Sequence, residues 1–320
     1  SRFKMTIRPA LWRLSLRRNC RIFQHQTIPE IVEAILKEWD IQIDKSRTKL
    51  TDTYQKLEFK VQYHETDFDF VSRLLEEAGI SYWLAPSDKI PEKKTPGRDL
   101  TKIVLEDRPQ DKKPTYPDAD KHGHLQYLGD SPNPGEFDQQ PQMWGLTASQ
   151  SPRPLRVTVR DRNFRGRADQ NPEGEADAKI PQGPGEEKYE TYLYHSGIFW
   201  TERLDHKPAD KIPTPLADEK QHKNRPDKDL IEATGKGITV AERLRDAVFT
   251  DRTHIRFATN ALDLEPGCVF QIGKEQDDPL DAPSKHPHPA FAPTRKLMIV
   301  RRTVSGTGGG SSYRCDCLAV

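Results

Sequence analysis

The chain has 320 residues, which is enough for about two domains of ordinary size. Its 50 lysines and arginines nearly balance its 49 aspartates and glutamates, so the net charge of +1 gives no overall attraction to nucleic acid or to an anionic membrane. Hydrophobic residues make up 34% of the chain and charged residues 31%, which indicates a core diluted by long polar connections.

The four cysteines do not form a disulfide framework, because they are few and none belongs to a CxxC motif. Cys315 and Cys317 would share one face of a strand, where we expect packing rather than redox or metal chemistry. No run of about 18 apolar residues predicts a membrane helix, and the N-terminus lacks the apolar region of a signal peptide. These features favour folding in a reducing compartment. Residue 1 is serine and not an initiator methionine, and strand-like alternation reaches both ends of the sequence. We therefore expect this sequence to be part of a longer chain.

The N-terminal segment predicts β-structure. Residues 3–12 alternate as a strand, in which Pro9 indicates an edge position or a strand end. The alternation continues through Leu14 and Leu16 towards Phe23.

The first helix is predicted by its start signal. Thr27 and Glu30 form a capping box, and Pro29 lies in the first turn, where its missing N–H costs nothing. An apolar stripe follows at helical spacing, which indicates a helix buried along one side. The stripe consists of Ile31, Val32, Ile35, Leu36 and Trp39.

A strand and a second helix come next. Residues 57–63 alternate so that the apolar residues share one face. Thr66 is the predicted N-cap of the helix and Gly79 the residue that ends it. A strand at 80–84 follows, so residues 23–85 are predicted to form a compact α/β unit. The apolar face of the strand consists of Leu57, Phe59, Val61 and Tyr63, and the helix stripe of Phe70, Val71, Leu74, Leu75 and Ala78.

Residues 86–150 are rich in proline and charge, and we expect an irregular connection with one strand at 102–105. Strands are then predicted at 155–162, with Val157 and Val159 on one face, and at 189–200. The intervening residues 165–190 and the later residues 203–236 have loop composition.

The second half of the chain is predicted to be mainly antiparallel β-structure with one helix, arranged as a barrel or sandwich. The helix starts near Thr239, where Glu242 completes a capping box. Strands are expected at 254–259, 268–272, 296–304 and 313–320. Pro266 and Gly267 make a turn between two of these strands, and the glycine-rich loop 306–312 joins the last pair.

The search for catalytic, cofactor-binding or metal-ligating residues selects none, because the usual nucleophile, zinc and phosphate-loop motifs are absent. Two histidine pairs, His122 with His124 and His286 with His288, lack a third ligand at a recognisable spacing. We expect loop histidines, no cofactor and no enzyme activity.

Charged residues cluster in two places. Helix capping and a solvated helix face account for Glu65, Asp67, Asp69, Glu76 and Glu77 without catalysis. The arginines Arg13, Arg17, Arg18 and Arg21 lie near Trp12, and a subunit contact or a solvated edge is favoured over a nucleic-acid groove, because a strand would aim Arg17 and Arg18 at opposite faces.

Three stretches together resemble one family. Residues 10–39 contain RIFQ and PEIV motifs, residues 60–84 contain QYHETDFDFVSRLLEEAGI, and residues 256–273 with 296–306 give a weaker match. They resemble the valine-glycine repeat protein G family, the spike proteins of bacterial type VI secretion. The chain departs from the family pattern in its long loops at 86–150 and 165–236, and in the run Tyr192 to Gly197.

The resemblance implies an α+β fold of the phage baseplate-hub type, mainly antiparallel β-barrels with a two-helix insertion and long polar loops. It implies a truncated first barrel (1–22), the insertion (23–85), a connection (86–150) and a second barrel (151–320). It also implies a homotrimer that couples a hexameric tube to a spike and contacts baseplate components. A spike-tip protein and effectors would bind through regions absent here, with no nucleic acid and no membrane insertion. Assembly would take place in the bacterial cytoplasm, followed by export.

Two alternatives stay open. The first is a baseplate hub of a contractile phage or phage-like particle, which would share the fold. The second is a cell-wall glycan-binding module, in which Tyr63, Tyr82 and Trp83 stack on a sugar chain.

Overall fold

A computed structural model describes residues 7–86, 101–111, 125–127, 142–154, 156–161, 173–177, 188–194, 240–271, 296–306 and 313–320. The chain divides into two compact units. The first unit comprises Ser1–Asp107 and Arg153–Val248, and the second comprises Arg108–Pro152 and Phe249–Val320.

The described strands are β1 (Arg18–Gln26), β2 (Leu57–Thr66), β3 (Ser81–Pro86), β4 (Thr101–Glu106), β5 (Gln126–Tyr127), β6 (Gln142–Gln150), β7 (Arg156–Arg160), β8 (Glu173–Asp177), β9 (Glu190–Tyr194), β10 (Thr253–Thr259), β11 (Val269–Gln271), β12 (Lys296–Gly306) and β13 (Tyr313–Ala319). The α-helices are α1 (Ile28–Glu38), α2 (Asp67–Ala78) and the helical residues 240–250, called α3. Two short 3-10 helices span Ala10–Leu16 and Pro109–Asp111.

The first 3-10 helix corrects the prediction of a strand over residues 3–12. Residues 1–6 lie outside the described residues, and Ala10–Leu16 are helical instead of extended. Leu11 and Leu14 are both buried. Their spacing of three places both on one side of a 3-10 helix, whereas in a strand they would point to opposite faces.

The first two predicted helices and their caps are confirmed, and the third predicted helix corresponds to α3. The Thr27 side chain accepts from the backbone N–H of Glu30, and the Glu30 carboxylate accepts from that of Thr27. Thr66 accepts from the backbone N–H of Asp69, and Gly79 ends α2 with a φ of 66°. The apolar stripes of α1 and α2 pack together in the core of the first unit, because each helix must bury one side.

Strand β2 is confirmed, and Leu57 of its predicted apolar face is buried, but from Lys60 to Tyr63 the buried face is the polar one. Lys60 and Gln62 are buried, whereas Val61 is 37% and Tyr63 is 71% exposed. Strand β1 pairs with β2 in antiparallel order and places Ile22 opposite Val61. The polar residues are buried because Lys60 pairs with Glu77 and Gln62 hydrogen-bonds to Asp67, both on α2.

Strands β3 and β4, both predicted, form an antiparallel pair. The segment between α1 and β2 runs beside β4 through isolated parallel bridges. The carboxylate of Asp107 fixes this segment by accepting hydrogen bonds from the backbone N–H groups of Thr51 and Asp52 and from the Tyr54 hydroxyl. The segment between α1 and β2 is thus held by specific hydrogen bonds rather than by a regular helix or strand.

The remaining part of the first unit is a three-stranded sheet covered by α3. Strand β7, which was predicted, is the central strand, pairs with β8 in antiparallel order and runs parallel to β9. Val157 and Val159 are buried against Ala241 of α3. Strand β8 lies within residues 165–190, which were predicted to be loop, so that prediction is wrong at Glu173–Asp177. The capping residue Thr239 and residues 203–236 lie outside the described residues.

The second unit is built on one six-stranded sheet with the strand order β11-β12-β13-β10-β6-β5. Four of its strands were predicted from alternation. Strand β6, nine residues within the predicted connection 86–150, was not predicted. Its Met143 and Leu146 join Phe257, Phe270 and Ile299 in the core. Tertiary pairing with β10 therefore makes a strand of residues that carry no clear alternation.

The compact units follow a different division from the predicted segments. Strands β7 and β9 and most of α3 fall in the first unit, whereas the prediction grouped all of residues 151–320 together. Over the described residues β11 and β5 are the two outer strands of an open sheet, so closure into barrels stays a prediction.

Candidate functional site

A buried carboxylate organises the charged residues of the first unit. The Asp67 side chain, at the start of α2, is fully buried. Its Oδ1 accepts from Arg21 Nη2 and from Gln62 Nε2, each at 2.9 Å. Its Oδ2 accepts from Arg17 Nε at 2.7 Å and from Trp39 Nε1 at 2.9 Å. Asp67 therefore connects α1, α2, both strands of the β1–β2 pair and the residue that precedes them.

A second carboxylate extends this cluster towards solvent. Glu38 accepts hydrogen bonds from Arg17, and its two oxygens lie 2.8 and 3.0 Å from Arg21 Nη1. The Arg17 guanidinium lies over the Trp39 ring, 4.9 Å from its centre. We call Arg17, Arg21, Glu38, Trp39, Gln62 and Asp67 the Asp67 cluster.

The electrostatics of Asp67 favour a structural role. Burial acts to raise the pKa of Asp67, but hydrogen bonds from Gln62, Trp39 and Arg17 and the charge of Arg21 outweigh burial and hold that pKa below its ordinary value. Each carboxylate oxygen already accepts at least two hydrogen bonds, which is about its full capacity. Asp67 is thus ionised and fully engaged, and it has no lone pair to offer as a general base.

A neighbouring ionic network ties α2 to β2. Lys60 Nζ lies 2.5 Å from Glu77 Oε2, and both side chains are largely buried. Arg73 joins Glu77 to Glu65, at 3.1 and 2.5 Å. The expectation of a solvated helix face is therefore wrong for Glu77, because Lys60 and Arg73 cover it, whereas Asp67 lies in the first turn of α2, as expected. Asp69 and Glu76 are exposed, as expected.

The arginine cluster is only partly a solvated edge. Arg17 and Arg21 belong to the Asp67 cluster, and Arg13 donates to the backbone oxygen of Trp39 at 2.7 Å. Arg18 is exposed on the other face of β1. Sequence reasoning noted the arginines and the acids separately. No local signal joins them, because the alternation of β2 does not by itself show that Lys60 and Gln62 face inward.

The opposite face of the β1–β2 pair is exposed and apolar. It carries Ile22, which is 66% exposed, with Val61 beside it and Tyr63 further along β2. We call these three residues the outer face. Apolar groups that cluster in solvent are typical of protein contact surfaces.

The aromatic residues considered for glycan stacking do not share one sheet. Tyr63 lies on the outer face, whereas Tyr82 and Trp83 are half-buried on β3, in the separate β3–β4 pair. Tyr82 packs against the core of the first unit.

The remaining candidates concern metals, thiols and membranes. His122, His124, His286 and His288 lie outside the described residues, and the described part of the chain holds no group of three or more potential metal ligands. Cys315 and Cys317 lie on one face of β13 and are buried, as predicted, and burial raises the pKa of both thiols. Among the described helices none is long and apolar enough to cross a membrane.

Comparison with known proteins identifies the relatives of this chain. A family model described as the phage tail baseplate hub (GPD) matches residues 1–283. The type VI secretion system spike protein VgrG1c of Pseudomonas aeruginosa is 41% identical over 87 residues, which are 27% of this chain and 12% of that protein. The actin cross-linking toxin VgrG1 of Vibrio cholerae is 49% identical over 80 residues, 25% of this chain and 7% of the toxin. The match thus spans about an eighth or less of either relative.

One solved structure aligns with nearly the whole chain. It is the E. coli c3393 protein, described as a component of the type VI secretion system with structural similarity to the T4 bacteriophage tail proteins gp27 and gp5. The alignment covers 98% of this chain and 53% of that one, with 17% sequence identity and a TM-score of 0.48. The chain spans about half the length of that structure.

Proposed function

We propose, since the chain belongs to the phage tail baseplate hub (GPD) family, that it acts as the hub part of a type VI secretion spike. The observation that carries this proposal is the family match over residues 1–283, supported by 41% identity with a type VI secretion spike protein and 49% with the VgrG1 actin cross-linking toxin over shorter stretches. The role is mechanical: the chain couples a hexameric tube to a trimeric spike and is itself part of a homotrimer.

The geometry of the first unit supports a load-bearing role. The Asp67 cluster and the Lys60–Glu77 pair cross-link two helices and a strand pair with directional, charge-assisted hydrogen bonds. Such a cluster holds its elements in one arrangement, and no atom of Asp67 is free to react. We therefore propose a structural and not a catalytic protein, assembled in the bacterial cytoplasm and exported with the spike.

The outer face is the surface that we propose for contact with a second copy of the chain. Ile22, Val61 and Tyr63 expose apolar area that a closed oligomer would bury, and each copy would contribute the same residues or their complement. The face is exposed in a single chain, and the Asp67 cluster holds the strand pair from its other face. Both features agree with such a contact.

The test is incorporation into particles. Tail-like particles would be sedimented from lysates of the bacterium that carries this gene, and their proteins identified by mass spectrometry. We expect the chain in the particle fraction together with tube protein. In secreting cultures we expect it in the medium, but only when the particles can contract. Recovery exclusively as a free protein would contradict the proposal.

A paired set of variants examines the outer face. Ile22→Asn with Tyr63→Asn should lower incorporation into particles while leaving the melting curve of the purified chain unchanged. The matched control is Val304→Asn, another exposed apolar residue, at 48% exposure. Equal incorporation of both variants would remove the outer face from the proposal while leaving the hub role in place.

The family description also favours one alternative, the baseplate hub of a phage or phage-like particle. The same particle preparation separates the two: encapsidated DNA co-sedimenting with the chain indicates a phage tail, and DNA-free particles that release the chain into the medium indicate secretion.

A further inference from the structure

A basic pocket lies on the open face of the six-stranded sheet in the second unit. Its volume is about 330 Å³. Arg256 of β10, Arg301 of β12 and Arg314 of β13 line it, and all three are exposed. Leu318, half-buried, pairs with both Arg256 and Arg301 and so lies between them. The pocket thus has Leu318 between two of the arginine side chains that surround it.

A β-bulge in β12 directs Arg301 into this pocket. Ile299 is opposite Ala319 and Arg301 is opposite Leu318, so Val300 is one extra residue in β12. A bulge reverses the alternation beyond it. Arg301 therefore points to the open face, whereas Arg302, opposite Cys317, donates to the backbone oxygens of Leu262 and Leu264.

A second bulge borders the same pocket. Arg256 is opposite Thr147 and Ala258 is opposite Trp144, which leaves one extra residue in β6. Gly145, within this bulge, has a φ of 61° and lines the pocket. A glycine is suited to this position because a side chain would strain the left-handed backbone.

The charge of the pocket is not neutralised. Arg314 pairs with Asp316, which also lines the pocket, at 2.9 Å. Within the part of the chain that the structure describes, no carboxylate pairs with Arg256 or Arg301. Three arginines against one aspartate leave a local excess of positive charge in a chain whose total charge is only +1.

We propose that this pocket binds an acidic, extended segment of a partner protein. Arg256 and Arg301 lie one strand to either side of Leu318, so their Cα atoms are about 10 Å apart. Side chains at alternate positions of an extended peptide point the same way and are about 7 Å apart. Two carboxylates of such a segment can therefore each meet one guanidinium, which binds a carboxylate through two parallel hydrogen bonds.

Nucleic acid fits this pocket less well. Binding of single strands uses exposed aromatic rings on which bases stack. The one aromatic residue that lines the pocket is Phe257, whose side chain is only 3% exposed and faces the core. The proposal concerns the second unit alone and does not depend on the hub role.

The experiment is fluorescence anisotropy with the full chain and a labelled short peptide in which glutamate and serine alternate. A peptide with glutamine in place of glutamate is the neutral control. We expect saturable binding of the acidic peptide that weakens between about 50 mM and about 300 mM salt. Arg256→Gln with Arg301→Gln should weaken it about tenfold, because two guanidinium–carboxylate pairs are lost.

The matched control variant is Arg18→Gln with Arg47→Gln, which removes the same charge from the first unit. It should stay within about twofold of the unmodified chain, since screened distant charges contribute little. All variants would be checked by thermal unfolding. Three results overturn the proposal: no binding of the acidic peptide, equal weakening by both double variants, or stronger binding of a labelled oligothymidine than of the peptide.

Discussion

Trp39 Nε1 donates a hydrogen bond of 2.9 Å to Oδ2 of Asp67 and so joins the C-terminal cap of α1 to the first residue of α2. The two residues are 28 positions apart. The same carboxylate oxygen accepts from Arg17, whose guanidinium covers the Trp39 ring. One buried carboxylate therefore sets both the spacing of the helices and the position of the segment before β1.

Replacement of this carboxylate tests its structural role. Asp67→Asn keeps the shape of the side chain but removes the charge that balances Arg17 and Arg21. The amide NH₂ of the asparagine would also face hydrogen-bond donors, from which it cannot accept. We expect a loss of about 2–3 kcal/mol in the free energy of unfolding, below the full cost of a broken buried ion pair because both arginines are partly exposed. Denaturant unfolding followed by circular dichroism measures it. Asp69→Asn, exposed on the same turn, should cost less than about 1 kcal/mol, and equal losses would contradict the role of Asp67.

The stability that Asp67 contributes should depend on pH. Its pKa in the folded chain lies below the ordinary value of about 3.9 for an unfolded chain. The contribution is therefore complete above the unfolded pKa and is lost as the pH falls through the folded pKa. We expect the stability difference between the unmodified chain and Asp67→Asn to shrink below about pH 4. The loss in free energy of unfolding caused by an apolar variant such as Leu74→Ala should stay nearly constant over this pH range. A stability difference for Asp67→Asn that widens in acid would refute this account.

Leu74 tests the packing of α2. Its side chain is completely buried among the apolar residues of the first unit. Leu74→Ala should lower the free energy of unfolding by about 2–5 kcal/mol, because it removes buried methyl groups and leaves a cavity. Glu76→Ala, on the exposed side of the same helix, should change it by no more than about 0.5 kcal/mol. A comparably small loss for Leu74→Ala would show that the core lies elsewhere.

Gly79 tests the helix end. Its φ of 66° is left-handed, and an added Cβ would lie 2.9 Å from Cδ of Arg243. Because the Arg243 side chain can move, the backbone conformation should dominate the cost of Gly79→Ala, about 1–2 kcal/mol. Gly79→Asn should cost less, since asparagine tolerates this conformation better. If asparagine costs more than alanine in thermal unfolding, then the contact with Arg243 and not φ limits this position.

Much of the first unit was predictable because its signals are local. The caps at Thr27 and Thr66 and the stripe at Phe70, Leu74 and Ala78 lie within a few residues of the hydrogen bonds and contacts they form. Whether these caps and contacts form depends on the 3.6-residue period of the helix and on backbone groups close in sequence. The strands β7, β10 and β13 were predictable for the same reason, from alternation with a period of two.

Other elements could not be predicted because distant residues decide them. Strand β6 forms through its pairing with β10, more than 100 residues later, and β8 forms beside β7. The 3-10 helix at Ala10–Leu16 replaces an expected strand because Leu11 and Leu14 are buried on one side. In each case burial or pairing overrides the local preference of the residues.

The sequence by itself determined the helices, their ends and the family of this chain, because these follow from short periodic patterns and ordered motifs. Only the tertiary structure decided which face of β2 is buried. The alternation of Val61 and Tyr63 with Lys60 and Gln62 is compatible with either face, and Asp67 and Glu77 select the polar one by offering buried charge to pair with. Likewise, the bulge at Val300 directs Arg301 to the pocket that Arg256 and Arg314 also line, and the position of that bulge is fixed only when the strands pair.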